Sequence, residues 1–80
     1  MNILVRKDKR GLGIGSKLLE EILKIATNLK VKTVTLEVNE KNEPAINLYQ
    51  KYGFKPIGRR KKYYYNTYDA IIMEKEVWPQ

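Results

Sequence analysis

The chain has 80 residues, 16 Lys+Arg against 9 Asp+Glu for a formal net charge of +7, 42% hydrophobic residues, and neither Cys nor His. One small domain is expected, and a domain of this size buries only about 60% of the surface its unfolded chain exposes, here without a disulfide or a Cys/His metal site to reinforce it. The same two absences exclude a Cys nucleophile, Ser-His and Cys-His pairs, an imidazole base and a zinc finger, so any catalysis has to use carboxylates, Tyr, Ser, Lys or backbone groups. Met1–Val5 is too short an apolar run for a signal peptide, and no other run approaches the ~20 residues of a membrane span. The expectation is a soluble, cytoplasmic protein with no membrane partner, and the lack of Cys fits a reducing compartment. A charge of +7 implies attraction to anions, whether nucleic acid, a polyphosphate cofactor or acidic partners.

In chain order, residues 1–5 (MNILV) read as the end of a strand, and the glycine-rich stretch Arg10–Ser16 as a loop feeding a helix. From Ile14 to Leu29, the residues Ile14, Leu18, Leu19, Ile22, Leu23, Ala26 and Leu29 recur at spacings of three and four, opposite Lys17, Glu20, Glu21, Lys24 and Asn28, which predicts an amphipathic helix. Val31–Val38 alternates, with Val34, Leu36 and Val38 on one side and Thr33, Thr35 and Glu37 on the other, in a β-branched stretch that predicts a strand. Asn39–Glu43 is turn-like, and Pro44 suits the first turn of a short helix carrying Ile46, Leu48, Tyr49 and Tyr52 and stopped by Gly53. Phe54–Tyr65 and Tyr68–Val77 read as an antiparallel hairpin, its first arm interrupted by Pro56 and Gly58. The fold class is therefore α/β with a mixed sheet, in the order strand, Gly loop, helix, strand, helix, hairpin. The first two strands flank a helix and should be parallel, with a right-handed crossover.

A glycine-rich loop at a helix start gathers unpaired N–H groups and the positive end of the helix dipole, which is an anion site. Glycine allows close approach of an oxyanion and backbone conformations of positive φ. The P-loop pattern is absent, since Lys17 follows Ser16 rather than preceding it, and the strict alternation of Gly11, Gly13 and Gly15 misses G-x-G-x-x-G. From the loop alone, a phosphate site and a flexible turn without a ligand both stand.

More residues carry a resemblance. Arg10-Gly11-Leu12-Gly13-Ile14-Gly15, then Leu18-Leu19, Leu36-Glu37-Val38, Asn42-x-Pro44-Ala45-Ile46-x-Leu48-Tyr49, Gly53-Phe54 and Tyr64-x-x-x-x-Asp69-Ala70 resemble, in this order, the GNAT superfamily of acyl-CoA-dependent N-acetyltransferases, above all its ribosomal-protein-alanine branch. The resemblance runs from about Ile3 to Glu76. It implies that main-chain amides of Gly11, Leu12, Gly13, Ile14, Gly15 and Ser16, beside Arg10, cradle the pyrophosphate of acetyl-CoA as cosubstrate. It also implies that Ile3, Leu4 and Val5 hydrogen-bond the pantetheine arm, with a main-chain N–H near Val5 polarising the thioester carbonyl, and that Asn42 contacts coenzyme A. A helix cap ahead of Pro44 is a compatible role for Asn42. Lys7 stands where many family members have Pro, which should loosen the turn without removing the site. The family domain begins well before Ile3, so this chain corresponds to about its C-terminal half. The other half would line the acceptor groove, so either the chain is a fragment or a partner chain completes the sheet.

Acetyl transfer needs a neutral amine, a polarised carbonyl and an acceptable thiolate. The resemblance makes Glu37 the general base, working through water, and Tyr49 the general acid that meets the departing sulfur; without it, Glu37 reads as an exposed strand residue and Tyr49 as a core aromatic. A carboxylate near 4.3 is a weak base, and an α-amine at about 7.7 to 8.0 needs less help than Lys at about 10.4, which favours a protein or peptide N-terminus as acceptor. A phenol near 10 protonating a thiolate whose acid is near 8.5 goes uphill by about 2 kcal/mol, so hydrogen-bond stabilisation is expected unless nearby cations lower the phenol. No metal is implied.

Arg59-Arg60-Lys61-Lys62 followed by Tyr63-Tyr64-Tyr65 fits RNA binding by charge and stacking, and equally a solvated edge strand whose cations discourage aggregation. In the family reading Tyr64 shapes the acceptor groove. An edge left open near residues 1–5 leads to an expectation of a homo-oligomer or a complementing chain.

Overall fold

The computed structural model describes residues 1–5, 14–64 and 66–79, without the side chain of Tyr64. Its elements are β1 (Asn2–Val5), α1 (Ser16–Asn28), β2 (Thr33–Asn39), α2 (Glu43–Lys51), β3 (Lys55–Tyr64) and β4 (Tyr68–Glu76). They form a four-stranded sheet in the order β1-β2-β4-β3. β1 runs parallel to β2, and β4 lies antiparallel to both β2 and β3. The expected α/β class, the parallel first pair and the terminal hairpin are all present. The hairpin enters the sheet through its second arm, so β4 and not β3 sits beside β2.

The core lies between one face of the sheet and the two helices. Val34, Leu36 and Val38 of β2 and Met73 of β4 meet Leu19 and Ala26 of α1, Ala45 and Tyr49 of α2, and Phe54. Alternation along β2 places Val34, Leu36 and Val38 on this face and Thr33, Thr35 and Glu37 on the other. Two residues expected in the buried stripe of α1 are not there: Leu18 is 46% and Leu29 60% exposed, and Ile25 beside them is 52% exposed. α1 packs through the narrower line of Leu19 and Ala26, with Ile22 and Leu23 partly buried. Its apolar arc is wider than the sheet of this chain covers.

α2 opens on Asn42, whose side chain accepts from the Ala45 N–H, with Pro44 in the first turn. It closes on Tyr52, followed by Gly53 at φ +95, where a left-handed turn requires glycine. β3 is an irregular outer strand. Its pairing with β4 shifts between Pro56 and Gly58 and again between Arg60 and Tyr64, and Lys62 has φ +50. Asp69 secures that second irregularity, accepting from the Lys62 N–H at 2.9 Å and from Arg59 Nη1 at 2.8 Å. Glu40 joins it by accepting from the Asp69 N–H at 2.9 Å and from Arg59 Nη1 at 3.2 Å. Among the described residues, no helix is long and apolar enough to cross a membrane, and no group of three or more acidic residues is placed to hold a metal ion.

Candidate functional site

The site is built where β1 ends and α1 begins. The last β1–β2 pair is Val5 with Leu36, and β2 continues through Glu37, Val38 and Asn39. Ile14 is buried, and the N-cap of α1 is Gly15, which has no side chain to bond the helix end; the first turn has no acidic residue. The first intrahelical bond runs from the Leu19 N–H to Gly15 O, so the N–H groups of Ser16, Lys17 and Leu18 have no acceptor within the helix. Among the described residues, a Cβ built on Gly15 meets nothing within 4 Å. Gly15 has φ −76, so it is not one of the loop glycines expected at positive φ. Ser16 is exposed and does not cap the helix. A helix start with a glycine N-cap and Lys17 in its first turn suits a phosphate oxygen. The expectations on Lys7, Arg10, Gly11, Leu12 and Gly13 lie outside the described residues.

Tyr49 approaches this end from α2. It is only 2% exposed. Its hydroxyl accepts from the Ile14 N–H at 2.7 Å and donates to Ile14 O at 3.2 Å. Burial pushes the phenol above its ordinary value, and the Ile14 hydrogen bond offsets only part of that rise. With its value raised, the hydroxyl stays protonated at neutral pH and is available as a hydrogen-bond donor. Its contact on the donating side is the longer one, so the hydrogen can turn to another acceptor while the Ile14 N–H stays bonded.

Glu37 lies on the opposite face of β2. It is buried to 7% exposure, which rules out the exposed strand glutamate. Its Oε2 accepts from Arg60 Nε at 3.0 Å, reaching across β4 to β3. The Arg60 guanidinium is in turn 5.0 Å from the centre of the Tyr63 ring. Glu37 and Tyr49 thus lie on opposite sides of the sheet. Ile3 and Val5 pack partly against the core, and Leu4, at 50% exposure, points the other way. Asn42 caps α2, as described. Tyr64 closes β3 opposite Tyr68, and its side chain lies outside the described residues.

The basic run is largely committed within the chain. Arg59 pairs with Asp69 and Glu40, Arg60 with Glu37, and Lys61 Nζ lies 3.7 Å from Asp69. Read as a linear cluster, these cations fit RNA binding or a solvated edge strand; the sheet order brings carboxylates to Arg59, Arg60 and Lys61. Arg60 is singled out by the sequence only as part of the basic run, not as a partner of Glu37. Its partner is on a strand two places away in the sheet, and only the insertion of β4 between β2 and β3 sets that distance.

A family model described as "Acetyltransferase (GNAT) family" matches residues 1–54. The ribosomal protein bS18-alanine N-acetyltransferase of Escherichia coli is 40% identical over 75 residues, covering 90% of this chain and 51% of that protein. An N-alpha-acetyltransferase of Sulfurisphaera tokodaii is 40% identical over 74 residues, covering 91% of this chain and 44% of that protein. Among solved structures, a chain in the NatC complex bound to Gag peptide and CoA matches with a TM-score of 0.72 and 33% identity, over 84% of this chain and 42% of that one. The chain spans about half the length of the curated relatives it matches.

Proposed function

Since the chain belongs to the GNAT acetyltransferase family, we propose that it is the acetyl-CoA-binding half of an N-acetyltransferase whose acceptor is the N-terminal α-amine of a protein, ribosomal proteins included. The observation that carries this reading is the start of α1 with a glycine N-cap, to which Tyr49 is fastened through Ile14. In this reading the amides of Gly15, Ser16 and Lys17, with Arg10 and the loop at Gly11–Gly13, hold the diphosphate of acetyl-CoA. Ile3, Leu4 and Val5 bond its pantetheine arm through the main chain, and Asn42 contacts it from the start of α2. Tyr49 donates its hydrogen bond to the leaving sulfur. Glu37 receives the proton of the incoming amine through water while Arg60 fixes its carboxylate. Tyr64 lines the acceptor groove, the rest of which lies outside these 80 residues. The relatives that share this chain's fold include N-alpha-acetyltransferases, which supports the choice of a peptide N-terminus, and the cytoplasm is where such a protein would work.

A second reading, a non-catalytic module that binds coenzyme A or RNA, draws on the half-length coverage of the relatives. A thermal-shift titration separates the two ligands. At 100 times its dissociation constant, a ligand stabilises by about 2.7 kcal/mol, so acetyl-CoA should raise the melting temperature clearly and a single-stranded RNA should not. Free thiol released in the presence of an Ala-starting peptide then separates turnover from binding. A rise with RNA alone removes the acetyltransferase reading.

A further inference from the structure

Arg59, Arg60 and Lys61 follow one another along β3, and their partners alternate with the pleat. Arg59 and Lys61 reach Asp69, and Arg60, between them, reaches Glu37 on the other face of the sheet. Arg60 stands opposite Ala70 of β4, itself fully buried, whose methyl leaves the longer side chain room to cross β4 to β2. The resulting ion pair is buried at its acidic end and open at its basic end, with side chains 2% exposed for Glu37 and 44% for Arg60. An arginine this open has many rotamers to choose from, and few of them put Nε on the Glu37 carboxylate.

Regular spacing would keep Tyr63 away from this pair. Residues three apart in an even strand point to opposite faces, so Tyr63 would join Arg59 and Lys61. β3 is not even here. The step from Arg60 to Tyr64 is matched on β4 by the shorter step from Ala70 to Tyr68, and Lys62, at φ +50, turns the chain between them. The Lys62 N–H donates to Asp69 Oδ1 at 2.9 Å, which holds the turn. Tyr63 is thereby brought to Arg60, whose Cζ stands over the ring at 5.0 Å from its centre.

We propose that Tyr63 is a positioning residue for the Glu37 carboxylate: its ring holds the Arg60 guanidinium in place, and the irregularity at Lys62 serves to bring the ring there. A guanidinium lies flat on an aromatic face and keeps its N–H groups at the rim. The ring therefore restrains Arg60 without competing for the Nε–H that Glu37 accepts at 3.0 Å. Three contacts act in series. Asp69 shapes the turn at Lys62, Tyr63 holds Arg60, and Arg60 holds Glu37. The consequence for catalysis rests on the proposed reading of Glu37 as the base, whereas the ordering of the guanidinium is independent of it.

The test reads the Nε–H resonance of Arg60 in the isotope-labelled chain, without coenzyme or acceptor. Its exchange with water is expected to be about two- to fivefold faster in Tyr63→Leu, the factor to which a surface cation–π contact converts. Tyr63→Phe, which keeps the ring face, is expected to exchange at the parent rate. Circular dichroism checks each fold, and Tyr63→Gln replaces Tyr63→Leu should that variant fail to fold. In turnover of acetyl-CoA with an Ala-starting peptide, Tyr63→Leu lowers kcat by a similar factor at unchanged KM for acetyl-CoA, and has no further effect in an Arg60→Gln background. Parent-like exchange in Tyr63→Leu, exchange in Tyr63→Phe as fast as in Tyr63→Leu, or a loss of kcat that persists without Arg60 overturns the proposal. A parent chain that shows the expected Arg60 signals but no turnover contradicts the proposed function and supports the ordering of Arg60 by Tyr63.

Discussion

The Tyr49 hydroxyl engages both main-chain polar atoms of Ile14, 35 residues earlier in the chain, and so ties α2 to the residue that precedes the N-cap of α1. The bond satisfies the main-chain N–H of the buried Ile14, which lies outside the hydrogen-bond ladder of α1. It also gives the helix start a fixed height against α2, which is what a site made of amides needs. Tyr49→Phe keeps the ring against Phe54 and removes only this bond. A buried donor left unsatisfied costs about 1 to 3 kcal/mol. For a domain of this size that corresponds to a fall in melting temperature of roughly 4 to 8 °C per kcal/mol. A melting temperature within error of the parent would show that the bond does not hold the junction.

Glu37 and Arg60 are unequal partners, with side chains 2% and 44% exposed. Removing Arg60 leaves a buried carboxylate without its cation, whereas removing both leaves neither. Arg60→Gln is therefore expected to destabilise more in the parent than in the Glu37→Gln background, with a coupling of about 1 to 3 kcal/mol in a double-mutant cycle. Additive effects would mean that the pair is not maintained in solution.

The ordinary carboxylate range marks the acid limit of the hairpin. Hydrogen bonds from the Lys62 N–H and then from Arg59 hold the Asp69 carboxyl below its usual value. Glu40 is lowered chiefly by the Asp69 N–H. A value lower in the folded chain than in the unfolded one contributes stability that is complete above the unfolded value and disappears as pH falls through the folded one. Melting temperature should therefore drop as pH falls below about 4. Asp69→Asn should begin lower at neutral pH and fall less over the same interval. Parallel curves for the two proteins would contradict this.

Gly53 holds φ +95 at the end of α2. A Cβ there would stand 2.7 Å from Lys75 Nζ, the far end of a flexible side chain that can move aside. The cost of Gly53→Ala is thus mainly conformational, roughly 1 to 2 kcal/mol. Lys75→Ala, which clears the space, should recover little of it. Substantial recovery would place the cost in the contact instead.

How far these relationships are visible in sequence depends on the range over which they act. The period of α1, the alternation of β2, and the Asn42, Pro44 and Gly53 signals around α2 are local, and the elements stand within a few residues of where those signals set them. The burial of Leu18 and Leu29 was misread because periodicity describes the apolar arc of a helix and not how much of it a given sheet covers. Without the resemblance Glu37 reads as an exposed strand residue, and the basic run reads as an RNA-binding or solvated edge segment. Both readings lacked one fact, the place of β4 between β2 and β3, which brings Arg60 to Glu37 and Arg59 to Asp69. The bond from Tyr49 to Ile14 has no sequence signal of its own. The family resemblance pointed to both residues without implying that they touch.

The most direct test of the account is a titration of the isotope-labelled chain with coenzyme A, followed through backbone amide resonances. The glycine-capped start of α1 as the diphosphate site predicts saturable shifts centred on Ile14, Gly15, Ser16 and Lys17, with smaller ones at Ile3–Val5. Saturation without change at these amides, or no binding at millimolar coenzyme A by a folded sample, would contradict it.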